Sequence, residues 1–195
     1  MAKQRLVTNR GTGWLFFVAG LVLMLFVGWF LFPKALYSTK TQPFEFSHAT
    51  HGPQGAAGNE CTDCHAFRDD GSYQGIPPLS KCMECHEELI GESEAEREFH
   101  EKALEMAEND EQVPWLIYSR QPVCVYFSHA AHVKMAELEC TSCHPDVTNQ
   151  KAPLPYFQNR ITGYSKDVWD RMKMSDCGDC HEKHGANNAC FVCHK

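Results

Sequence analysis

Hydrophobic and polar positions divide the 195-residue chain into one continuously apolar segment near its start and a long polar remainder. Residues 14–32 are 19 consecutive positions without a charged side chain. A helix of that length rises roughly 28 Å, close to the thickness of the hydrocarbon core of a bilayer. Trp14 and Trp29 lie near its two ends, where amphipathic rings favour the membrane interface. The pattern predicts a transmembrane helix over residues 14–32.

The residues that flank this segment indicate its orientation. Three basic side chains precede it, Lys3, Arg5 and Arg10, and basic residues beside a membrane helix stay on the cytoplasmic side. We therefore expect a single-pass protein of the inner membrane, with residues 1–13 in the cytoplasm, a linker over 33–43 and the remainder in the periplasm. A cleaved signal peptide is the alternative, but its apolar region would be about 7–15 residues long and would end at an Ala-x-Ala-like site. The longer run and the missing site favour an uncleaved anchor.

A second periodic pattern, over residues 93–107, predicts an acidic helix. Ser93 and Glu96 have the spacing of a capping box, in which each side chain satisfies a backbone N–H of the first turn. The face that would turn toward the interior carries His100, Ala103, Leu104 and Ala107.

Composition shows that the polar remainder cannot fold around its own side chains. In residues 41–195, Leu, Ile, Val and Phe make up 24 of 155 positions, and the net charge is −12. When these four residue types make up less than about 20% of a segment and its net charge is high, the segment is typically disordered. The negative charge also disfavours nucleic-acid binding, which needs a basic face. Either this part is disordered or another component supplies its interior.

Five Cys-x-x-Cys-His motifs identify that component. In chain order, the first to fifth motifs are Cys61/Cys64/His65, Cys82/Cys85/His86, Cys140/Cys143/His144, Cys177/Cys180/His181 and Cys190/Cys193/His194. This is the attachment signature of c-type haem: two thiols one helical turn apart can add to the porphyrin vinyl groups, and the adjacent histidine reaches the iron. Zinc knuckles, disulfide scaffolds and thioredoxin-like pairs also use cysteines, but none explains a histidine after the second cysteine in all five motifs. Five haems, about one per 31 residues, would form the core.

Six histidines lie outside the motifs: His48, His51, His100, His129, His132 and His184. Four of them belong to a local repeat, because Phe46-Ser-His-x-x-His51 precedes the first motif and Phe127-Ser-His-x-x-His132 precedes the third. The offset of about 80 residues indicates a duplicated chain. We expect two haem modules packed as one unit, 44–120 with two motifs and 121–195 with three.

Phe-x-His-x-x-His followed by Cys-x-x-Cys-His resembles the class III multihaem cytochromes c. The resemblance implies that His48, His51, His129 and His132 complete bis-histidine coordination of four different haems, which makes low-spin iron suited to electron transfer. Ordinary surface or core histidines are the alternative. His100 and His184 are further candidates for distal ligands, His184 because it lies between the last two motifs. Met172 and Met174 are outside candidates, since methionine is usually packing.

Cys124 is left over once the five motifs are assigned. One interpretation is a buried, inert thiol in the apolar stretch 115–127. The other is a sixth haem, held through a single thioether at Cys124 with a spare histidine as its ligand. A free thiol in an oxidising compartment needs an explanation, and these are the two interpretations.

A wider resemblance covers most of residues 10–195. The anchor, the stretch from Val113-Pro-Trp115 through Gln121-Pro-Val-Cys124 to the third motif, and the closely spaced last two motifs are similar to the membrane-anchored cytochrome subunits of quinone-linked respiratory complexes. Such subunits occur in alternative complex III, which oxidises quinol, and in the menaquinone reductase complex (Qrc) of sulfate-reducing bacteria. The resemblance implies three partners: a molybdopterin-like subunit, an iron–sulfur subunit and an integral-membrane quinone-binding subunit.

The negative charge and Cys124 favour the reductase. Its cytochrome subunit is described as hexahaem, and a periplasmic domain of charge −12 would steer a basic tetrahaem cytochrome c as electron donor. Electrons would then pass through the iron–sulfur subunit to menaquinone. The quinone site is expected in another subunit, because one membrane helix offers no pocket.

Two alternatives from other classes remain. A self-contained quinol dehydrogenase of the NapC/NrfH group would carry methionine two residues after a motif histidine, where this chain has Phe67, Glu88, Asp146 and Lys183. A haem-based sensor or storage module is disfavoured by five sites without an output domain. The expected fold is mainly α and irregular, with one membrane helix, short helices that carry the motifs, haems as the core and little β-structure.

Overall fold

The computed structural model describes residues 10–165 and 172–194. Residues 1–9, most of the predicted cytoplasmic segment, lie outside this description. The helices are α1 (Arg10–Phe26), α2 (Phe32–Leu36), α3 (His48–His51), α4 (Cys61–Cys64), α5 (Leu79–His86), α6 (Glu94–Glu108), α7 (Met174–Lys183) and α8 (Cys190–Cys193). Two π-helical turns (Val27–Leu31 and Ala130–Met135), one 3-10 turn (Cys140–Ser142) and two strands, β1 (Tyr37–Lys40) and β2 (Tyr156–Asn159), complete the elements.

The N-terminal apolar segment is one long helix made of α1, the first π-helical turn and α2. Its stretch Thr12–Leu36 is 25 residues long, carries no buried position and is long and apolar enough to cross a membrane. Pro33 lies in the first turn of α2, and its ring cannot donate the hydrogen bond that a continuous α-helix needs. The widened turn directly before it is where the helix accommodates the proline.

The small sheet connects this helix to the second half of the chain. β1 pairs antiparallel with β2, with Tyr37 opposite Asn159 and Lys40 opposite Tyr156, and the backbone N–H of Arg160 donates to the carbonyl of Leu36 at 2.9 Å. Within the predicted linker 33–43, helix and strand therefore continue to Lys40. The ring of Tyr156 is buried. The connection between the two segments therefore rests on side-chain packing as well as on backbone hydrogen bonds.

The predicted acidic helix is confirmed as α6. Ser93 is its N-cap and accepts a hydrogen bond from the N–H of Glu96 at 3.1 Å. The predicted interior face was partly wrong: Ala103 is fully buried, but Leu104 is exposed. The reason is aromatic packing, because Phe99 lies edge-on to the buried ring of Phe44 at 5.1 Å. That contact rotates the buried face toward Phe99 and Ala103.

The polypeptide has almost no core of its own. Among the described residues, the buried hydrophobic side chains are those of Phe44, Leu79, Ala103 and Tyr156. The chain exposes 15136 Å², whereas a folded monomer of 22.1 kDa exposes about 9,300 Å². The exposed membrane helix accounts for part of the excess. The predicted architecture, mainly helical and irregular with little β-structure, is confirmed.

Candidate haem-binding sites

The motifs form short helical turns that present their cysteines on one side. In the first, third and fifth motifs, the histidine N–H donates to the carbonyl of the first cysteine, four residues earlier, at 2.9 Å. The second and fourth motifs lie within α5 and α7. All eleven cysteines are free thiols, each exposed or half-buried. Both thiols of each motif are thus available to one planar group.

The two Phe-Ser-His-x-x-His segments repeat as structures as well as sequences. The ring of Phe46 stacks on His51 at 4.5 Å and meets His48 edge-on at 4.9 Å. The copy repeats these contacts, since Phe127 stacks on His132 at 4.7 Å and meets His129 edge-on at 4.8 Å. Each phenylalanine therefore holds two imidazoles in a fixed mutual orientation.

The serine of each repeat orients the second histidine. Nδ1 of His51 donates to the carbonyl of Ser47 at 2.9 Å, and Nδ1 of His132 donates to the carbonyl of Ser128 at 2.8 Å. The serine hydroxyls accept from the backbone N–H groups three residues later and begin the turns. Because a carbonyl can only accept, Nδ1 carries the proton and Nε2 keeps a free lone pair for a metal.

Three pairs of imidazoles face each other at nearly equal separations. Their ring centroids lie 6.0 Å apart for His51 and His86, 6.3 Å for His129 and His144, and 6.1 Å for His132 and His181. Imidazole nitrogens bind metals at about 2 Å, and the ring centroid lies about 1.1 Å behind the nitrogen. Two imidazoles on opposite sides of one metal ion are therefore about 6.2 Å apart. The spacing fits iron held between each pair.

The fourth distal candidate, His48, lies beside the histidine of the first motif. Burial lowers the pKa of His48, and the nearby imidazoles of His65 and His51 lower it further. Burial likewise lowers the pKa of His129 and His144. A lowered pKa keeps the imidazole neutral, the form that binds a metal. In each copy of the repeat, the first histidine thus lies beside the next motif along the chain, and the second lies beside the motif after it.

Thiols of different motifs lie close to one another. Burial raises the pKa of the thiols of Cys61, Cys64, Cys82 and Cys177, and thiols of other motifs lie close enough to raise it further; burial and Cys180 do the same for Cys143. The adjoining thiols are Cys85 with Cys64, Cys61 with Cys140, Cys143 with Cys180, and Cys177 with Cys193. These contacts link the motifs in the order second, first, third, fourth, fifth, a series called the row below.

Sequence reasoning missed two side chains that contact this row. Tyr73, which comes from the loop after the first motif, stacks on His129 of the second histidine repeat at 4.0 Å; no pattern in the sequence marks it. The carboxylate of Glu96 accepts a hydrogen bond from Nδ1 of His86 at 2.9 Å. Its signal was present, since Glu96 belongs to the predicted capping box.

The remaining candidates are placed differently. Nε2 of His100 donates to the carbonyl of Glu87 at 3.2 Å, and His184 is exposed and lines a cavity of about 460 Å³ together with Cys143 and Cys180. Of the outside candidates, Met174 is exposed at the start of α7, and Met172 is half-buried.

Cys124 lies beside the fifth motif. Its neighbour Val125 pairs with His194, and the N–H of Tyr126 donates to the carbonyl of Cys193 at 2.8 Å. The Cys124 thiol is exposed, in contrast to the buried thiol of the first interpretation.

Comparison with known proteins agrees with this arrangement. Residues 32–112 match the class III cytochrome c family, and residues 125–195 match the family described as cytochrome c7 and related cytochrome c. The chain is also 42% identical, over 194 aligned positions, to the multihaem cytochrome c subunit of menaquinone reductase from Nitratidesulfovibrio vulgaris. That alignment covers 92% of this chain and 89% of the relative. These similarities show that the chain is a multihaem cytochrome c, a class of protein that binds haem c.

Proposed function

The chain belongs to the family of menaquinone reductase multihaem cytochrome c subunits, and on that premise we propose that it conducts electrons from a basic periplasmic tetrahaem cytochrome c into a membrane-bound complex that reduces menaquinone. The observation that carries the proposal is the row of motifs with three imidazole pairs 6.0–6.3 Å apart. Haem c supplies reversible one-electron chemistry when it is bound, and two histidine ligands suit it to electron transfer.

The proposal assigns the ligands as follows. Each motif attaches one haem through its two cysteines and supplies the proximal histidine. The distal ligands for the first, second, third and fourth motifs are, in that order, His48, His51, His129 and His132. For the fifth motif, His184 is the candidate that remains; His100 lies against Glu87, beside the second motif at the other end of the row.

Electrons can enter the row at one of its two ends and leave at the other, and the charge distribution distinguishes these ends. Residues 81–111, the acidic segment, contain twelve acidic and three basic side chains, a net charge of −9. This segment includes α5, which carries the second motif, and α6, which packs against it. A basic donor is steered toward such a surface. Electrons therefore enter at the second motif and leave at the fifth.

The partners follow from the same proposal. The complex contains a molybdopterin-like subunit, an iron–sulfur subunit that accepts electrons from the fifth motif, and an integral-membrane subunit that binds the quinone. The apolar helix Thr12–Leu36 anchors this chain in the inner membrane, with its N-terminus in the cytoplasm and the motifs in the periplasm.

A tagged full-length chain, isolated in mild detergent from its native membranes, tests this function. We expect the three partner subunits to co-purify, and the preparation to reduce a menaquinone analogue with reduced basic tetrahaem cytochrome c. Raising the salt concentration should slow reduction of the motif haems by the donor, because the Debye length falls to about 10 Å at 0.1 M. Quinol oxidation by the chain alone would favour the self-contained dehydrogenase instead.

The acidic segment provides the matched variants for that experiment. Glu101→Gln with Glu105→Gln removes two exposed charges from α6 and should slow donor reduction several-fold at low salt. Asp69→Asn with Glu137→Gln removes two exposed charges elsewhere and should leave the rate near that of the unmodified chain. A rate that is indifferent to salt and to both variants would contradict docking at the acidic segment.

We also propose a sixth haem at Cys124, supported by its exposed thiol beside the fifth motif. Pyridine haemochrome and intact mass should count six haems in the unmodified chain and five in Cys124→Ser. Val123→Ala, which changes the exposed neighbour, should keep six. An intact mass that fits five haems in the unmodified chain would contradict a sixth haem at Cys124.

A further inference from the structure

The ring nitrogens of the candidate ligands find two kinds of hydrogen-bond acceptor. Four donate Nδ1–H to backbone carbonyls: His65 to Gly75, His181 to Asn187, His51 to Ser47 and His132 to Ser128. Within residues 10–165 and 172–194, His86 is the motif histidine whose ring donates to a carboxylate, that of Glu96, at 2.9 Å. The second motif is therefore chemically distinct from the others.

The carboxylate of Glu96 makes this contact instead of capping its own helix. The N–H of Glu96 donates to the hydroxyl of Ser93, which is one half of the capping box. The other half would return the Glu96 carboxylate to the N–H of Ser93. Instead the carboxylate turns to His86 and also accepts from the N–H of Ile90 at 3.4 Å. A tertiary contact thus replaces a helix cap.

The pair is sheltered, so water weakens the interaction little. Only 15% of each side chain is exposed, although the other acids of α6 mostly face solvent. The ring of Phe99 lies edge-on to His86 at 5.2 Å, and the buried ring of Phe44 lies behind Phe99. Low local polarity strengthens a hydrogen bond of this kind.

A carboxylate acceptor changes what the imidazole donates to a metal. A charge-assisted hydrogen bond draws the Nδ1 proton toward the carboxylate and makes Nε2 a more basic ligand. A more basic ligand stabilises ferric over ferrous iron and lowers the reduction potential. Carbonyl acceptors, which are neutral, have this effect to a smaller degree.

We infer that Glu96 is a positioning residue that lowers the reduction potential of the haem attached at Cys82 and Cys85, an inference that rests on the proposed ligation by His86. The second motif stands at the end of the row that the acidic segment surrounds. A low potential there makes electron transfer along the row favourable from that end. One helix then serves two purposes, since its exposed acids attract the donor and its sheltered acid tunes the first acceptor.

Glu96→Gln tests the inference in the full-length haem-loaded chain. The glutamine carbonyl still accepts from Nδ1–H and preserves the geometry, so the variant removes mainly the charge. In a spectroelectrochemical titration we expect one haem to shift to a more positive potential, so that its ferrous-to-ferric ratio at a fixed potential rises roughly tenfold. The EPR signal of that low-spin ferric haem should shift as well.

Glu98→Gln is the matched control on the same helix. Its carboxylate pairs with Lys102 at 2.6 Å, and both side chains are about half exposed. The control removes an equal charge and should leave every potential unchanged. A Glu96→Gln titration that matches the control, in a preparation with unchanged haem count and low-spin spectrum, would overturn the inference and leave the proposed function standing. An unmodified chain with fewer than five covalent haems would overturn the proposed function itself.

Discussion

The full-length chain produced without haem will show no cooperative unfolding transition outside its membrane helix. Burial of a large apolar side chain contributes about 1.5–3 kcal/mol, and ordering the backbone of one residue costs about 1–2 kcal/mol. The four hydrophobic residues that are buried in the described part of the chain cannot offset that cost over a domain of this length. The measurement is far-UV circular dichroism against temperature in detergent, on chain made with and without the cytochrome c maturation system.

The haem-loaded chain is the control for that experiment, and it should unfold in one cooperative transition. The haem-free chain should retain ellipticity from the helix Thr12–Leu36 alone, because detergent replaces the bilayer around that segment. A haem-free chain with the same transition would show that the polypeptide supplies its own interior. The scarcity of buried side chains would then need another explanation.

Features with local patterns were predictable from the sequence. The apolar helix and α6 follow from hydrophobic periodicity and a serine cap, and the motif cysteines follow from spacing alone. The sheet was not predictable, because β1 is a four-residue strand whose partner, β2, begins more than 100 residues later. Short strands with distant partners leave no local signal.

The site shows the same division between local and tertiary information. The Phe-Ser-His-x-x-His pattern indicated ligands, but the stacking of Phe46 on His51 depends on the fold of the turn, which the pattern does not specify. Helical phase selected His100, although the aromatic contact of Phe99 set the buried face of α6. For Glu96, the local pattern predicted a helix cap, and packing against α5 gave its carboxylate a different partner.

Replacement of His129 by alanine should convert one haem from low-spin to high-spin and interrupt conduction between the modules. His129 faces His144 at 6.3 Å with ring planes only 6° apart, so its loss opens one coordination position of the third motif. We expect a high-spin ferric EPR signal and carbon monoxide binding by one ferrous haem. Removing a strong ligand should also raise that haem's potential.

The interruption follows from the position of the third motif in the row. The first motif adjoins the third through Cys61 and Cys140, and the third adjoins the fourth through Cys143 and Cys180. On the proposed path, electrons that enter at the acidic segment pass this point. In stopped-flow reduction by the basic donor, the haems of the second and first motifs should reduce normally. Those of the fourth and fifth should reduce at least about tenfold more slowly, the effect of a barrier raised by about 1.4 kcal/mol.

His100→Ala and His184→Ala provide the comparison, because neither side chain is stacked opposite a motif histidine of the first four motifs. If His184 serves the fifth motif, its removal produces a high-spin haem at the exit of the row, and reduction of the first four haems keeps its normal rate. His100 lies beside the second motif, so His100→Ala should leave the exit of the row unchanged. The position in the row at which reduction slows thus shows which motif each histidine ligates. A His129→Ala chain with an unchanged low-spin spectrum would contradict the pairing of His129 with His144. It would also contradict the assignment of the other two pairs, which rests on the same centroid spacing.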